Sequence, residues 1–451
     1  MKSTFTPGLI GPIVQQLADA NAHFAKLYPG ESPARQPVQT LYGGAQIFKA
    51  DMAAKLGAVA LRSLEEYAPT GAAFAKALGW PAGNAALYRT IHERVVEKLK
   101  REPVEDFRID FEDGYGNRPD AEEDGHAEFT AREVARGMRE GTLPPFIGIR
   151  TKPLTQELKH RAIRTLDIFV TTLVGETGGR LPDNFIITIP KPVIPEHVGA
   201  MAALCGVLEQ KLGLPAGALK IELMIEMPQS IINPSGECSI SRFVEAAGGR
   251  CRGAHFGVYD YTASNNITAA YQSMTHPVCG FAREMQRVSL MGTGIWISDG
   301  ATNIMPVGPH RAAAGRKLTA KQRGENRATV HRAWRIMHEH VVNSLYTGYY
   351  QGWDLHPAQF PVRYATIYKF FLEGLQAASL RLRTFVEKAA QATLIGDVFD
   401  DAATGQGLLN YFLRGINCGA ITEAEAQATG LSLAEIRGRS FAKILEARRK
   451  K

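Results

Sequence analysis

Three carboxylates close the segment FRIDFEDGYG at residues 107–116: Asp110, Glu112 and Asp113. Read as a strand, the segment places Phe107, Ile109 and Phe111 on one face and Arg108, Asp110 and Glu112 on the other. Like charges packed together repel, so such a strand end implies positive charge among them. Similar residues end other apolar runs: Arg150 after FIGI, Lys191 in IPKP, Glu222 and Glu226 in IELMIEM, Asp260 after FGVY, Asp299 in ISDGA, and His356 after WDL. One charge at a strand end is ordinary surface. Repetition along the chain points instead to one shared rim.

Asp110, Glu112, Asp113, Glu226 and Asp260 facing Arg150 and Lys191 would leave surplus negative charge in a confined space. A divalent cation would offset it. Oxygen donors without a Cys/His cluster favour Mg²⁺ or Mn²⁺ over zinc. Mg²⁺ typically takes one or two carboxylates and leaves its other positions to water and substrate, a division that suits Glu226 and Asp260. Duller roles compete. Asp110 and Glu112 would serve equally as acceptors for Arg108 or Arg150, Lys191 would orient a carboxylate or meet substrate, and Glu222 would bond a neighbour. His255 reads as a core histidine. His338 and His340, two apart on a helix, face away from each other and read as solvated surface. By strict alternation Asp260 shares a face with Phe256 and Val258, so either Gly257 marks a bulge or Asp260 already lies in the loop.

Eight short runs would position these groups: PVQTLYGG, DFRIDFED, FIGIRTK, NFIITIPKP, KIELMIEM, AHFGVYDY, GIWISDGA and WDLHPAQ. Amphipathic helical segments separate most of them, at a spacing of roughly 35–40 residues mid-chain against ~31 in a compact eight-fold barrel. The pattern predicts an α/β fold, a TIM (β/α)8 barrel whose C-terminal strand ends carry the site. No GxGxxG follows the first run, as an open dinucleotide-binding sheet would require. Residues 1–36 read as an N-terminal helical segment, 37–362 as the barrel, and 363–451 as a helical extension serving as a lid or subunit contact. The basic stretch GPHRAAAGRKLTAKQRGENR before the eighth run reads as an excursion or mobile loop.

Composition narrows the function class. Hydrophobic residues make up 45% and charged residues 22%, as in ordinary globular protein. No apolar run approaches a membrane span, and no secretory leader is visible, so a cytoplasmic protein is expected. The five cysteines form no CxxC and read as reduced thiols. The net charge of +7 comes from scattered basic residues without interleaved aromatics, which argues for anionic small molecules and against nucleic acid.

Taken in order, DFED, IRTK, IPKP, LMIEM, FGVYD, SDG and GWDLHPAQ resemble the HpcH/HpaI aldolase and citrate lyase β-subunit group, relatives of malyl-CoA lyase and malate synthase in the phosphoenolpyruvate/pyruvate barrel superfamily. The resemblance covers about residues 37–365. It implies metal ligation by Glu226 and Asp260, an acidic network from Asp110, Glu112 and Asp113, and substrate binding through Arg150. Lys191, Gly257 and His356 are further candidates for substrate binding, though the resemblance makes His356 in the HPAQ motif more an architectural residue than a chemical one. The first run ends Tyr42-Gly43-Gly44-Ala45 where the family carries a P-G or P-A turn, which argues against a coenzyme A thioester. Members are often trimers or hexamers, so a homo-oligomer is expected.

The expected chemistry is a Mg-dependent carbon–carbon cleavage or condensation of a 2-oxo or β-hydroxy acid through a metal-stabilised enolate of pyruvate, oxaloacetate or an acetyl group. The proton-transfer group stays open among Asp299, His356, a metal-bound water, and Asp397, Asp400 or Asp401 of the tail. Phosphotransfer on enolpyruvate and a non-catalytic barrel binding an acidic metabolite are the rivals. No GxxxxGK[ST] loop supports the first.

Overall fold

A computed structural model describes residues 4–449 apart from 33, 313–315, 388–392, 396–397, 401 and 439. The eight runs are strands: β1 (Gln39–Gly44), β2 (Asp106–Asp110), β3 (Phe146–Arg150), β4 (Phe185–Ile189), β5 (Lys220–Ile225), β6 (Cys251–Phe256), β7 (Trp296–Ala301) and β8 (Gln351–Asp354). They pair in parallel in chain order, and β8 closes on β1 through Gln39↔Gly352 and Thr40↔Trp353. The fold is therefore a closed (β/α)8 barrel. β8 starts two residues earlier than the quoted run, because Gln351 already pairs with Ser298.

Alternation along the strands sorts apolar from polar side chains. Phe107, Ile109, Ile149, Ile187, Leu223, Ile225 and Phe256 are buried, as an outward face packed under helices requires. The opposite face turns into the barrel and is unusually polar. Arg108 lies between Asp106 and Glu222, its Nη2 3.1 Å from Glu222 Oε2 and its Nε 3.1 Å from Thr188 Oγ1. Thr188 donates to Glu222 at 2.7 Å, and the Tyr42 hydroxyl donates to the same carboxylate at 3.1 Å. Glu222 thus bonds its neighbours, as its place before the strand end suggested.

Two segments depart from the sequence reading. The basic stretch before β8 is helical from Ala320 onward, where a capping box between Thr319 and Gln322 starts the helix Ala320–Tyr346. The helix Phe360–Glu373 packs on Ala85–Arg101 and Ala320–Tyr346 as the barrel's eighth helix, so the barrel layer ends near residue 373 rather than 362. Helices beyond it dock at the base. Arg414 Nη2 lies 3.0 Å from Glu31 and its Nη1 3.4 Å from Gln36, just before β1. Those described contacts sit at the end of the barrel opposite the acidic rim. Asp397 and Asp401 lie outside the described residues. Among the described residues no helix is long and apolar enough to cross a membrane.

Candidate metal and substrate site

β2 delivers Asp110 to the rim, and the chain then turns sharply. Asp110 Oδ1 accepts from the Glu112 amide at 3.0 Å and Oδ2 from the Gly114 amide at 2.7 Å. The same two oxygens receive the Arg150 fork at 2.7 and 2.5 Å. Burial alone would raise the Asp110 carboxyl, but the adjoining guanidinium outweighs it and holds the group below the usual range. Asp110 is a positioning group: it fixes Arg150 and shapes the turn that brings Glu112 inward.

Arg150 is almost wholly buried, with its guanidinium over the rings of Tyr42 (4.9 Å) and Trp353 (5.6 Å). Its Nη1 lies 2.9 Å from Glu112 Oε2, yet neither atom completes a properly aligned hydrogen bond. A buried donor and a buried acceptor therefore stand side by side with bonding capacity unspent. Burial, first of all, raises the Glu112 carboxyl above its ordinary range despite the nearby cations.

Lys191 follows β4 in Pro190-Lys191-Pro192 and adopts φ +47°. A side chain in that region costs on the order of 1–3 kcal/mol, and the following proline makes it more awkward. The turn aims both ends of the residue at carboxylates. Its amide donates to Glu226 Oε1 at 2.9 Å, while its ammonium lies 2.5 Å from Glu112, 3.3 Å from Asp113 and 3.1 Å from Asp260.

Glu226 follows β5 and is buried. Its pKa is pushed up to about 8 by burial first, with Glu112 and Asp260 adding to it and Lys191 opposing. Gly257 makes the wall beside it: a Cβ there would fall 2.4 Å from Glu226 Oε2. Asp260 is neither on β6 nor after a bulge; it lies in the first turn of the helix Val258–Ser264, which Gly257 caps. That helical turn removes the alternation problem and brings Asp260 to Lys191.

Among the described residues no three His, Cys, Asp or Glu side chains group as a metal cage. A two-carboxylate site is still the arrangement that Mg²⁺ uses, with water and substrate completing its shell. Glu226 and Asp260 fit it: hard oxygen donors, a glycine wall that leaves Glu226 room, and negative charge that Lys191 and Arg150 only partly offset. Gly257→Ala would force the Glu226 carboxylate aside, so Mn²⁺ affinity measured by titration should fall at least tenfold while the barrel stays folded. Unchanged affinity would remove Gly257 from the site.

Other candidates land elsewhere. Asp299 turns outward on β7, taking Arg283 Nη1 at 3.1 Å and the Ser344 hydroxyl at 2.6 Å, so it ties β7 to two helices and is not at the rim. His356 caps the turn Pro357–Gln359, accepting from the Ala358 amide at 3.1 Å, an architectural position. His338 and His340 do face apart, but neither is solvated: His338 contacts Trp80 and Thr366, and His340 contacts Thr302. His255 is buried between Tyr42 and Trp353 with neither ring nitrogen bonded, and burial lowers its pKa to about 4. Tyr42 and Trp353 were missed as site residues. Their inward alternation beside a buried arginine was the signal available.

Among curated proteins none matches this chain. A citrate lyase from Burkholderia xenovorans LB400 shares the fold at TM-score 0.54 and 16% identity, over 90% of this chain and 97% of that one. The CitE protein of Mycobacterium tuberculosis, in complex with magnesium, acetoacetate and coenzyme A, aligns at TM-score 0.46 and 13% identity over 86% and 100%. A malate synthase from Haloferax volcanii aligns at 0.40 and 12% over 77% and 89%. Residues 17–444 match one family across nearly the whole barrel and its extension, and the protein belongs to that family, described as a domain of unknown function, DUF6986.

Proposed function

We propose that this protein is a divalent-metal-dependent carbon–carbon lyase or aldolase that cleaves or forms the bond beside the carbonyl of a 2-oxo or β-hydroxy acid. The observation that carries this reading is the buried Glu226 carboxylate, aimed by the Lys191 amide and walled by Gly257, across the rim from an Arg150 whose Nη1 has no aligned acceptor. Glu226 and Asp260 would hold Mg²⁺ or Mn²⁺, which when bound supplies Lewis-acid stabilisation of charge developing on a keto oxygen. Arg150, locked by Asp110, donates from Nη1 to that oxygen or to the substrate carboxylate. Such a preorganised donor needs no rearrangement as charge builds. Lys191 provides a second cationic contact for an acidic substrate. Glu112, whose pKa is raised by burial, is the carboxylate best placed to hold the proton exchanged with the substrate carbon. The Tyr42 and Trp353 faces below Arg150 exclude water from it.

The test is a panel of 2-hydroxy and 2-oxo acids and their thioesters, with and without Mg²⁺, assayed for pyruvate, glyoxylate or acetyl products. Product that EDTA abolishes is the expected result. No product from any acid, or turnover indifferent to EDTA, would end the proposal.

Lys191 also competes with the metal, because its ammonium already neutralises Asp260 and Glu112. Lys191→Met should therefore bind Mn²⁺ more tightly in the absence of substrate, by roughly 5- to 150-fold, the range of a 1–3 kcal/mol coupling. Calorimetry measures it directly. A weaker site in Lys191→Met would show that the backbone turn, rather than the charge, is the residue's contribution.

A further inference from the structure

The helix Pro7–Leu27 carries an apolar stripe that the described residues leave exposed. None of its residues is buried, and Leu9, Ile13, Val14, Leu17, Phe24 and Leu27 are each between 53% and 62% exposed. Ile10, Leu17 and Phe24 alternate with Ile13, Ala20 and Leu27 at heptad spacing, a narrow seam suited to a groove. Gly8, Gly11 and Pro12 weaken its first turns, so a helix of this length needs packing for stability. Its root is fixed at the barrel base, where the Gly30 amide donates to the Gly292 carbonyl at 2.8 Å and Tyr28 packs beside Gly292.

Next to that root lies an open groove of about 640 Å³, walled by Met291, Tyr346, Tyr350, Phe370 and Tyr411. Tyr346 is 78% exposed there. Glu31, at the foot of the arm, is on the same wall and is paired with Arg414.

We propose that this helix is an exchange arm that docks in the basal groove of a second copy of the chain. Charge selects that occupant. The arm carries one acid, Asp19, and one lysine, Lys26, and the groove's Glu284–Arg287 and Glu31–Arg414 pairs balance. A nearly neutral stripe on a chain of net charge +7 fits neither a nucleic acid nor an anionic membrane. Area agrees: six large side chains at about 100 Å² each give about 600 Å² per arm, and two reciprocal arm-in-groove contacts bury about 2,400 Å² in all, above the 1,200–2,000 Å² of a standard interface. Reciprocity follows from twofold symmetry, in which each copy gives an arm and receives one.

Light scattering on the full chain at tens of micromolar tests this against two variants, Leu17→Glu/Phe24→Glu on the arm and Tyr346→Glu on the groove. All three positions are exposed, so circular dichroism and melting temperature should report intact barrels. The wild type should show the mass of two copies or a multiple, and each variant should halve it. A monomeric wild type, or an arm variant with wild-type mass, overturns the proposal. Dissociation by the arm variant alone overturns the groove as the docking surface. A monomer that floats with neutral or anionic phosphatidyl vesicles, and loses this in the arm variant, replaces the second copy with a lipid surface and overturns it as well.

Discussion

Arg150→Ala should abolish turnover and also cost about 3–5 kcal/mol of stability, the range expected when one partner of a buried ion pair is removed. Asp110 and Glu112 would be left buried without their guanidinium. The loss should appear as a lower urea midpoint at unchanged slope. Arg150→Lys should recover part of the stability, since charge returns, but not the activity, because an ammonium cannot reproduce the fork that Asp110 grips at 2.7 and 2.5 Å while leaving Nη1 without an aligned acceptor. A stable, active alanine variant would show that the guanidinium is neither clamp nor donor.

Glu226→Gln should have the opposite effect on stability and the same effect on rate. The carboxyl titrates at an ordinary 4.5 when unfolded and at about 8 when folded, raised by burial and then by Glu112 and Asp260. Between those values the folded state holds a proton that the unfolded state has released, so the metal-free protein loses stability as pH rises from about 4.5 to about 8. Glutamine removes the titration, and the melting temperature of the variant should stay flatter across that window. Metal binding needs the carboxylate, so wild-type affinity for Mg²⁺ should rise by up to about tenfold per pH unit and level off above pH 8. At pH 8 Mg²⁺ should raise the melting temperature of the wild type and leave Glu226→Gln unmoved, with turnover reduced by about 10²–10³ or more. Equal responses to Mg²⁺ would place the ion elsewhere.

Much of this was legible from alternation and order. Phe107 and Ile109 against Arg108 and Asp110 is a period-two pattern that the strand keeps, while Phe111 and Glu112 lie just past its end in the turn. Parallel strands buried on both faces leave charges either paired inside the barrel, as Asp106, Arg108 and Glu222 are, or gathered at the strand ends. The failures have separate causes. Asp299 carries the right residue type at a strand end, but it follows Ser298, which faces the barrel interior, so alternation turns its carboxylate outward to Arg283 and Ser344. His338 and His340 were separated correctly on the helix, yet helix periodicity says nothing of what packs on each side. Asp260 was undecidable because one glycine serves equally as a bulge or a helix cap.

The sequence by itself determined the eight-fold alternation and the barrel, since these depend on local period and chain order. Only the tertiary structure decided that Arg150 belongs first to Asp110, that Lys191 turns through φ +47° to reach Glu226 with its amide and Asp260 with its ammonium, and that Gly257 is the wall against Glu226. Those assignments join residues far apart in the chain, and distance between strands is fixed by barrel closure and packing, which no local pattern encodes.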